Sequence, residues 1–289
     1  MIDQKNNIIK KLNNKEAIIG VFGIGYVGLP LSLAFAEAGF NVIGFDIDEE
    51  KVELLNRAKS PINNISSERI EKIQKLGLFE ATCDFTNTRK VDSIIICVPT
   101  PLNINREPDM SYIQSTLNSI LPFLEKGKII SLESTTYPGT TEDFVKPLIE
   151  KEGFEVGKDI FLIYSPERED PGNLKYTTTN IPKVLGGCST DCREIGIRLY
   201  KNIIQELVPV SSTKVAEMTK LLENIHRAVN IGLINEMKLL MNEMDIDLYE
   251  VIDAAATKPF GFFPYYPGPG LGGHCIPIDP FYLTWKARE

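Results

Sequence analysis

The stretch AIIGVFGIGYVGLPLSLAFAEAG, residues 17–39, decides the fold of this chain. An apolar run with strand character (17–22) leads directly into GIGYVG (23–28), and a further apolar segment at helical spacing follows. A strand, then G-x-G-x-x-G, then a helix is typical of a parallel α/β domain that holds a dinucleotide pyrophosphate at the helix N-terminus. The stretch therefore predicts a Rossmann-like domain.

The glycine turn supplies the first candidate cofactor contacts. Gly23 permits a tight turn, Gly25 lets the backbone approach a pyrophosphate, and Gly28 allows the helix to pack closely on the sheet. A glycine turn without a ligand is the alternative, and the combination of strand, spacing, helix and downstream acid disfavours it. The predicted contacts of the turn are Gly23, Ile24, Gly25, Tyr26, Val27 and Gly28.

The downstream acid is Asp46, which ends the strand NVIGFD 18 residues after Gly28. A carboxylate at this place accepts hydrogen bonds from the adenosine ribose hydroxyls. Residues 47–50 read Ile-Asp-Glu-Glu and contain no Arg that could receive a 2′-phosphate, so we predict NAD rather than NADP as cofactor. The remaining candidate cofactor contacts are Lys51, Thr100 and Thr136.

Working outward, strand-like and helix-like segments alternate as far as about residue 205. The strand candidates are almost continuously apolar, which is typical of a parallel sheet covered on both faces. We therefore predict a doubly wound α/β domain over residues 1–205. The strand candidates are AIIGVF, NVIGFD, SIIICV, KIISLES, DIFLIYS and KVLGG.

The pattern of apolar residues changes in the last third of the chain. Residues 212–244 contain no Pro and one Gly, and their apolar residues recur at spacings of three and four. A helix of about 33 residues would be roughly 50 Å long. Its apolar residues lie on more than one side, which predicts contact with a second copy. We expect an all-α central dimerisation domain over residues 206–289 and a homodimer formed through this helix.

Composition excludes several classes of protein. The net charge is −8 and basic residues form no stripe, so nucleic-acid binding is disfavoured. No apolar run reaches the roughly 18 residues of a membrane span, and residues 1–15 lack the apolar core of a signal peptide. Five cysteines without a CxxC pair indicate a reducing cytoplasm, and neither a disulfide framework nor a metal site is predicted. They are Cys83, Cys97, Cys188, Cys192 and Cys275.

The segment GLGGHCIPIDP, residues 270–280, frames one of these cysteines with glycine and proline. A buried inert thiol is the ordinary interpretation of a cysteine, but the glycine approach favours a nucleophile at Cys275. The neighbouring His274 is a poor candidate base because adjacent side chains in an extended loop point apart, and its role stays open. Asp279 either stabilises a turn or orients water and Lys220.

Three further segments carry candidate polar groups. Lys220 and Asn224 lie four residues apart on one face of the long helix, where a solvated face is the alternative. ESTTYPGTT (133–141) and SPERED (165–170) each follow a strand, at the sheet edge where doubly wound folds bind ligands.

Taken together, these motifs resemble the UDP-glucose/GDP-mannose dehydrogenase family. The resemblance extends over roughly residues 17–286, and within the family the motifs are most similar to the UDP-N-acetylglucosamine and UDP-N-acetylmannosamine branches. Ile278 stands where members specific for UDP-glucose usually carry Lys. The matching segments are GIGYVGLP, CVPTP, STTYPGTT, YSPE, AEMTKLLENIHRAVNIGLINEM and GGHCIPIDP.

The resemblance implies a two-step oxidation of a sugar C6 alcohol to a carboxylate with two NAD, for surface polysaccharide precursors. It implies that Cys275 forms a thiohemiacetal and then a thioester, that Lys220 and Asn224 steady the oxyanion, and that Asp279, Glu167 and Thr136 handle water or protons. The implied contacts of a UDP-N-acetylhexosamine are Glu167, Arg168, Lys220, Asn224, Tyr265, Tyr266, Gly270 and Gly272.

Several alternatives stay open at this point. One is a UDP-glucose 6-dehydrogenase, and two from other classes are a single-step β-hydroxyacid-type dehydrogenase and a non-catalytic NAD-binding dimerisation module. Members of the family continue into a second α/β domain that binds UDP, whereas this chain stops at Lys-Ala-Arg-Glu. We therefore expect the site to be incomplete within these residues.

Overall fold

The computed structural model describes residues 3–168, 176–273 and 276–289. Internal contacts divide the chain into two units. The first contains Met1–Pro101 and Asp109–Met218, and the second contains Leu102–Pro108 and Thr219–Glu289.

The first unit is built on one eight-stranded sheet with the strand order β3-β2-β1-β4-β5-β6-β7-β8. Neighbouring strands are parallel except for β6 and β7, which are antiparallel. The predicted doubly wound, Rossmann-like sheet is confirmed. The strands are β1 (Ile18–Phe22), β2 (Asn41–Phe45), β3 (Phe79–Thr82), β4 (Ser93–Ile96), β5 (Ile129–Leu132), β6 (Phe161–Tyr164), β7 (Lys183–Gly187) and β8 (Leu207–Pro209).

Helices flank this sheet on both faces, and each face of the sheet packs against them to form an apolar core. Further short turns of 3₁₀ helix span Phe85–Lys90 and Leu121–Phe123, and a π-helical segment spans Thr140–Val145. The α-helices of the first unit are α1 (Gln4–Asn13), α2 (Gly28–Glu37), α3 (Glu49–Asn56), α4 (Ser67–Lys75), α5 (Ser111–Ile120), α6 (Lys146–Lys151) and α7 (Thr190–Tyr200).

Both faces of the sheet are buried, and β4 shows why its sequence is an unbroken apolar run. Ile95 packs into the core on one face, whereas Ile94 and Ile96 pack into the core on the other. Each is fully buried, and a buried side chain of this size contributes roughly 1.5–3 kcal/mol. A strand covered on both faces has no position left for an alternating polar residue.

Four elements of the first unit, the edge strands β3 and β8 and the helices α1 and α7, were not among the sequence-based expectations. The edge strand β3 alternates buried and exposed residues, so it lacks the apolar run that marked the others. α1 buries only Ile8 and Leu12, and its Asp3 side chain caps the first turn at the Asn6 N–H. α7 has the Ser189 side chain as its N-cap. Local caps and edge positions leave a weaker sequence signal than a buried strand does.

The second unit is helical. The long helix expected over 212–244 is α8 (Thr213–Glu243), and its first residues, up to Met218, group with the first unit. It is followed by α9 (Leu248–Ala256) and α10 (Asp279–Lys286). No helix within residues 3–168, 176–273 and 276–289 is long and apolar enough to cross a membrane.

Candidate active site and cofactor site

The glycine turn after β1 has the backbone that a dinucleotide site needs. Gly23 has φ +88°, and its N–H donates to the Phe45 carbonyl at 2.8 Å. A Cβ on Gly28 would lie 2.0 Å from the Gly23 carbonyl oxygen, so no side chain fits there. A Cβ on Gly25 would meet nothing within 4 Å, which leaves the backbone open to a pyrophosphate. These residues fit the predicted cofactor, because one glycine permits the turn, one lets the pyrophosphate approach the backbone and one lets the helix pack closely on the sheet.

Asp46 is held in place at the end of β2, beside this turn. Its carboxylate accepts from the N–H groups of Ile24 at 3.0 Å and Asp48 at 3.1 Å. The Lys51 ammonium lies 2.9 Å from it, which offsets part of its charge. Asp46 is buried, so the position of the carboxylate is fixed before any ligand arrives. A fixed acceptor at this place suits a ribose diol better than a 2′-phosphate.

The loops after β4 and β5 are joined by side-chain hydrogen bonds. Thr100 donates to the Thr135 carbonyl at 2.7 Å, and Ser134 donates to the Val98 carbonyl at 2.7 Å. Thr136 is fully buried, and its hydroxyl has no hydrogen-bond partner among the described residues. A buried hydroxyl without a partner is costly, so a water or ligand atom is expected to bind it.

Glu217 fixes the segment 133–141 against the start of α8. It accepts from the N–H groups of Gly139 and Thr141 at 2.6 and 2.8 Å, and from the Thr141 hydroxyl at 2.7 Å. Burial raises the pKa of this carboxyl, although these three donors oppose the rise. Sequence reasoning missed Glu217 because its partners lie more than 70 residues away along the chain.

A buried ionic cluster lies where β5, β6 and β7 meet, and sequence reasoning missed most of it. The Lys183 ammonium is 2.7 Å from Glu133 and 3.6 Å from Glu167. Tyr200 donates to the other oxygen of Glu133 and lies 2.8 Å from the Ser131 hydroxyl. Glu167 is thus the one predicted residue of a larger arrangement.

Arg168 braces the chain beside Glu167. Its N–H donates to the Glu167 carboxylate at 2.7 Å, and its guanidinium donates to the Pro182 carbonyl at 2.7 Å. These contacts tie residues 167–168 to the segment that enters β7. The side chain therefore supports the local backbone, whatever contact it makes with a substrate.

In the second unit, Asn224 and Asp279 form a buried pair. The Asn224 amide donates to the Asp279 carboxylate at 2.5 Å, and both side chains are buried. Lys220 lies one helical turn before Asn224 and is half-buried. Cys275 and His274 lie outside the described residues. The predicted oxyanion donor and the predicted loop carboxylate are brought together, 55 residues apart in sequence.

Asn235 holds the glycine loop that precedes the cysteine, and no sequence pattern predicted this contact. Its amide donates to the Gly270 carbonyl at 3.2 Å and accepts from the Gly268 N–H at 2.9 Å. Gly272 and Gly273 have φ of +70° and +74°, a backbone conformation that favours glycine, which explains why glycine occupies these two positions. Asn235 lies three helical turns beyond Asn224 and so on nearly the same face of α8.

The two tyrosines predicted to bind substrate both make side-chain hydrogen bonds. The Tyr265 hydroxyl lies 3.0 Å from His226 Nδ1, and the Tyr266 hydroxyl donates to Asp253 at 2.7 Å, which raises the pKa of Tyr266. Tyr265 also borders a cavity of about 440 Å³ in the second unit. That cavity is lined by His226, Asn230, Leu233, Ile234, Gly261, Phe262, Phe263 and Tyr265.

Comparison with known proteins assigns the chain to a family. Residues 17–204 match the NAD binding domain of the UDP-glucose/GDP-mannose dehydrogenase family, and residues 214–289 match its central domain. The chain belongs to this family. Its cofactor is NAD, as the glycine turn and Asp46 predict.

Similar proteins come from bacteria and archaea. The chain is 38% identical over 277 residues to a UDP-N-acetyl-D-glucosamine 6-dehydrogenase of Pseudomonas aeruginosa, covering 95% of this chain and 64% of that protein. The structure of a UDP-D-ManNAc dehydrogenase from Pyrococcus horikoshii matches with a TM-score of 0.89 and 34% identity, covering 94% and 65%. The UDP-N-acetyl-mannosamine dehydrogenase Cap5O of Staphylococcus aureus matches with a TM-score of 0.82 and 36% identity, covering 93% and 65%. The chain therefore spans just under two thirds of the length of these relatives.

The family comparison confirms the predicted family, fold class and cofactor. The sugar, the covalent mechanism, the homodimer and the roles of single side chains stay predictions.

Proposed function

We propose that the protein is an NAD-dependent nucleotide-sugar 6-dehydrogenase that oxidises the C6 alcohol of a UDP-N-acetylhexosamine to a carboxylate. The sugar would be UDP-N-acetylglucosamine or UDP-N-acetylmannosamine, since the similar proteins bear both names. The observation that carries the proposal is the buried Asn224–Asp279 pair beside the cysteine loop, in a chain whose first unit has a complete NAD turn.

The covalent role of Cys275 follows from the chemistry of a two-step oxidation. NAD, when bound, accepts one hydride in each oxidation. The thiolate of Cys275 adds to the C6 aldehyde, and the aldehyde oxygen takes up a proton to give a thiohemiacetal. Loss of a hydride from C6 and of the hydroxyl proton then leaves a thioester. Water then adds to the thioester carbon, the C–S bond breaks, and the acid leaves with the thiolate restored. Covalent capture keeps the aldehyde in place between the two oxidations.

Lys220 and Asn224 would stabilise the oxygen that becomes negative when the thiolate or water adds. The Asp279 carboxylate accepts one N–H of the Asn224 amide, and this fixes the plane of the amide. A donor fixed in this way costs little reorganisation, and removing one such donor typically costs about 3–4 kcal/mol.

Glu167 and Thr136 would handle the water that cleaves the thioester. Glu167 is buried to about nine tenths, and the Lys183 ammonium lies 3.6 Å from its carboxylate. The Thr136 hydroxyl is buried with no partner among the described residues, so it can bind that water. Arg168, the two tyrosines and the loop glycines Gly270 and Gly272 are the proposed sugar contacts.

We further propose a cytoplasmic homodimer that supplies surface polysaccharide precursors. The exposed side chains along α8 and at its end include Leu222, Val229, Leu233, Leu239, Leu240 and Met244. This apolar surface is more than a solvated helix carries, and a two-fold contact between two copies would cover it. The four described cysteines form no disulfide with one another, which fits a reducing compartment.

The proposal is tested by an NADH assay of the complete polypeptide against UDP-GlcNAc, UDP-ManNAc, UDP-GalNAc and UDP-glucose. We expect two NADH per sugar and a uronic acid product with one of the first two. One NADH and no acid would indicate a single-step dehydrogenase. NAD binding without turnover of any sugar would indicate a binding and dimerisation module.

A further inference from the structure

Lys183 is a buried lysine whose ammonium lies between two carboxylates. Its side chain is 5% exposed, and the ammonium is 2.7 Å from Glu133, which follows β5, and 3.6 Å from Glu167, which follows β6. The ammonium also lies 5.1 Å above the ring of Tyr200 on α7. A buried ammonium is stable only when opposite charge and hydrogen-bond acceptors surround it.

The antiparallel pairing of β6 and β7 creates this arrangement. Tyr164 pairs with Gly186 and Ile163 with Gly187, so the same register continued past β6 sets Glu167 opposite Lys183. The Ser165 hydroxyl donates to the Val184 carbonyl at 2.9 Å. If β7 ran parallel to β6, Lys183 would begin the strand at the opposite edge of the sheet, far from both carboxylates.

Two carboxylates therefore compete for one ammonium. Burial raises the pKa of Glu133, while the Lys183 charge opposes the rise. The two carboxylates raise the pKa of Lys183 in spite of its burial, so the lysine is charged at neutral pH. Tyr200 donates to Glu133 as a neutral phenol, because burial and that carboxylate raise the pKa of the phenol. Burial and the Glu133 charge also raise the pKa of Cys97, which keeps this thiol neutral.

We propose that Lys183 is a positioning residue whose ammonium holds the carboxylate of Glu167 and sets its electrostatic surroundings, and that Glu133 weakens this effect by sharing the ammonium. The inference rests on the proposed function, in which Glu167 accepts a proton from the attacking water. Arg168 is a second cation beside Glu167, and its guanidinium donates to the Pro182 carbonyl.

Two substitutions move the charge around Glu167 in opposite directions. Lys183→Met removes the cation and keeps the chain length, so the acid limb of the kcat–pH profile is expected to move up by at least about one unit. Glu133→Gln removes the competing carboxylate, so the same limb is expected to move down. Lys183→Arg keeps the charge and is expected to restore most of the activity. A role in packing alone would lower kcat without moving the limb in either direction.

Lys128 provides the matched control. It is buried like Lys183, but its ammonium donates to the backbone carbonyls of Thr88, Arg89 and Val91, at the other edge of the sheet. Lys128→Met is expected to lower the thermal stability and to leave the acid limb in place. An equal shift in the Lys128 and Lys183 variants would overturn the proposal.

A measurement without substrate separates this inference from the proposed function. Carboxyl-carbon NMR of ¹³C-glutamate-labelled protein, assigned with Glu167→Gln, gives the titration midpoint of Glu167 directly. We expect the midpoint to rise in Lys183→Met and to fall in Glu133→Gln. Unchanged midpoints in both variants would overturn the role of Lys183 even if the enzyme makes acid. Shifted midpoints in a protein that oxidises no sugar would support Lys183 and refute the proposed function. If Lys183→Met does not fold, the Glu133→Gln shift alone decides.

Discussion

The two units of the chain bury their apolar residues to very different extents. In the first unit every residue of β4, β5, β6 and β7 is buried, and helices cover both faces of the sheet. In the second unit α8 exposes large apolar side chains, with Leu222 at 60% and Val229 at 64%. The sheet of the first unit is thus covered by helices of the same unit, whereas several large apolar side chains along one helix of the second unit are exposed.

We expect this difference to separate NAD binding from the proposed thiol chemistry. The NAD turn and Asp46 belong to the self-contained unit, and the hydrogen bonds that shape them come from within it. The cysteine loop and the Asn224–Asp279 pair belong to the unit with the uncovered surface. We therefore expect changes in the second unit to reduce turnover without weakening NAD binding.

The largest effect is expected at Cys275. Cys275→Ala should abolish acid formation by the complete polypeptide, because no thioester can form, and should leave the NAD dissociation constant within about twofold. Product analysis and fluorescence titration of NAD measure the two effects. Cys83→Ala, in the first unit, serves as the control and should form acid normally. Undiminished acid formation by Cys275→Ala would exclude covalent catalysis.

The next effect concerns Asn224. Asn224→Ala should reduce kcat by about 10² or more, because one fixed oxyanion donor is lost. Asn242→Ala changes an exposed residue near the end of the same helix and should stay within about twofold of the unmodified protein. Steady-state kinetics with both NAD and sugar varied distinguish the roles. A rise in KM at constant kcat would show that Asn224 only binds substrate.

A smaller effect is expected in the association of two copies. Val229→Asp should weaken the homodimer by about tenfold or more, because it places a charge on the exposed apolar face of α8. Leu76→Asp is the matched control, since Leu76 is 63% exposed on the first unit. Analytical ultracentrifugation at micromolar concentration gives both values. If the unmodified protein is monomeric at micromolar concentration, a second copy does not cover the exposed apolar side chains of α8, and the proposed homodimer is wrong.

The smallest effect is the choice of cofactor. NAD should bind at least about tenfold more tightly than NADP, a difference of about 1.4 kcal/mol, and Asp46→Ala should narrow this ratio. Because Lys51 offsets part of the Asp46 charge, the difference in binding free energy between NAD and NADP is expected to stay near this value. Glu50→Ala, an exposed acid in the first turn of α3, should leave the ratio unchanged. Equal affinities for the two cofactors in the unmodified protein would contradict the role of Asp46.

The sequence alone determined the features that depend on short spacings. The glycine turn, the following helix and Asp46 lie within 24 residues, and their order predicts both the sheet and the NAD site. The long helix was predicted over 212–244 and spans Thr213–Glu243, because its periodic apolar residues have no proline among them. Local rules suffice where the partners of a residue are a few positions away.

Only the tertiary structure decided which distant polar residues meet. Lys183 and Glu133 are 50 residues apart, Asn224 and Asp279 are 55 apart, and Glu217 reaches a loop more than 70 residues away. In the sequence, Lys183 is only the polar first residue of an apolar strand. The antiparallel pairing of β7 with β6 brings it to the two carboxylates. The periodicity of a sequence does not reveal which distant residue a charged side chain will contact. That contact depends on the order and direction of the strands, which are set by burial of the whole sheet.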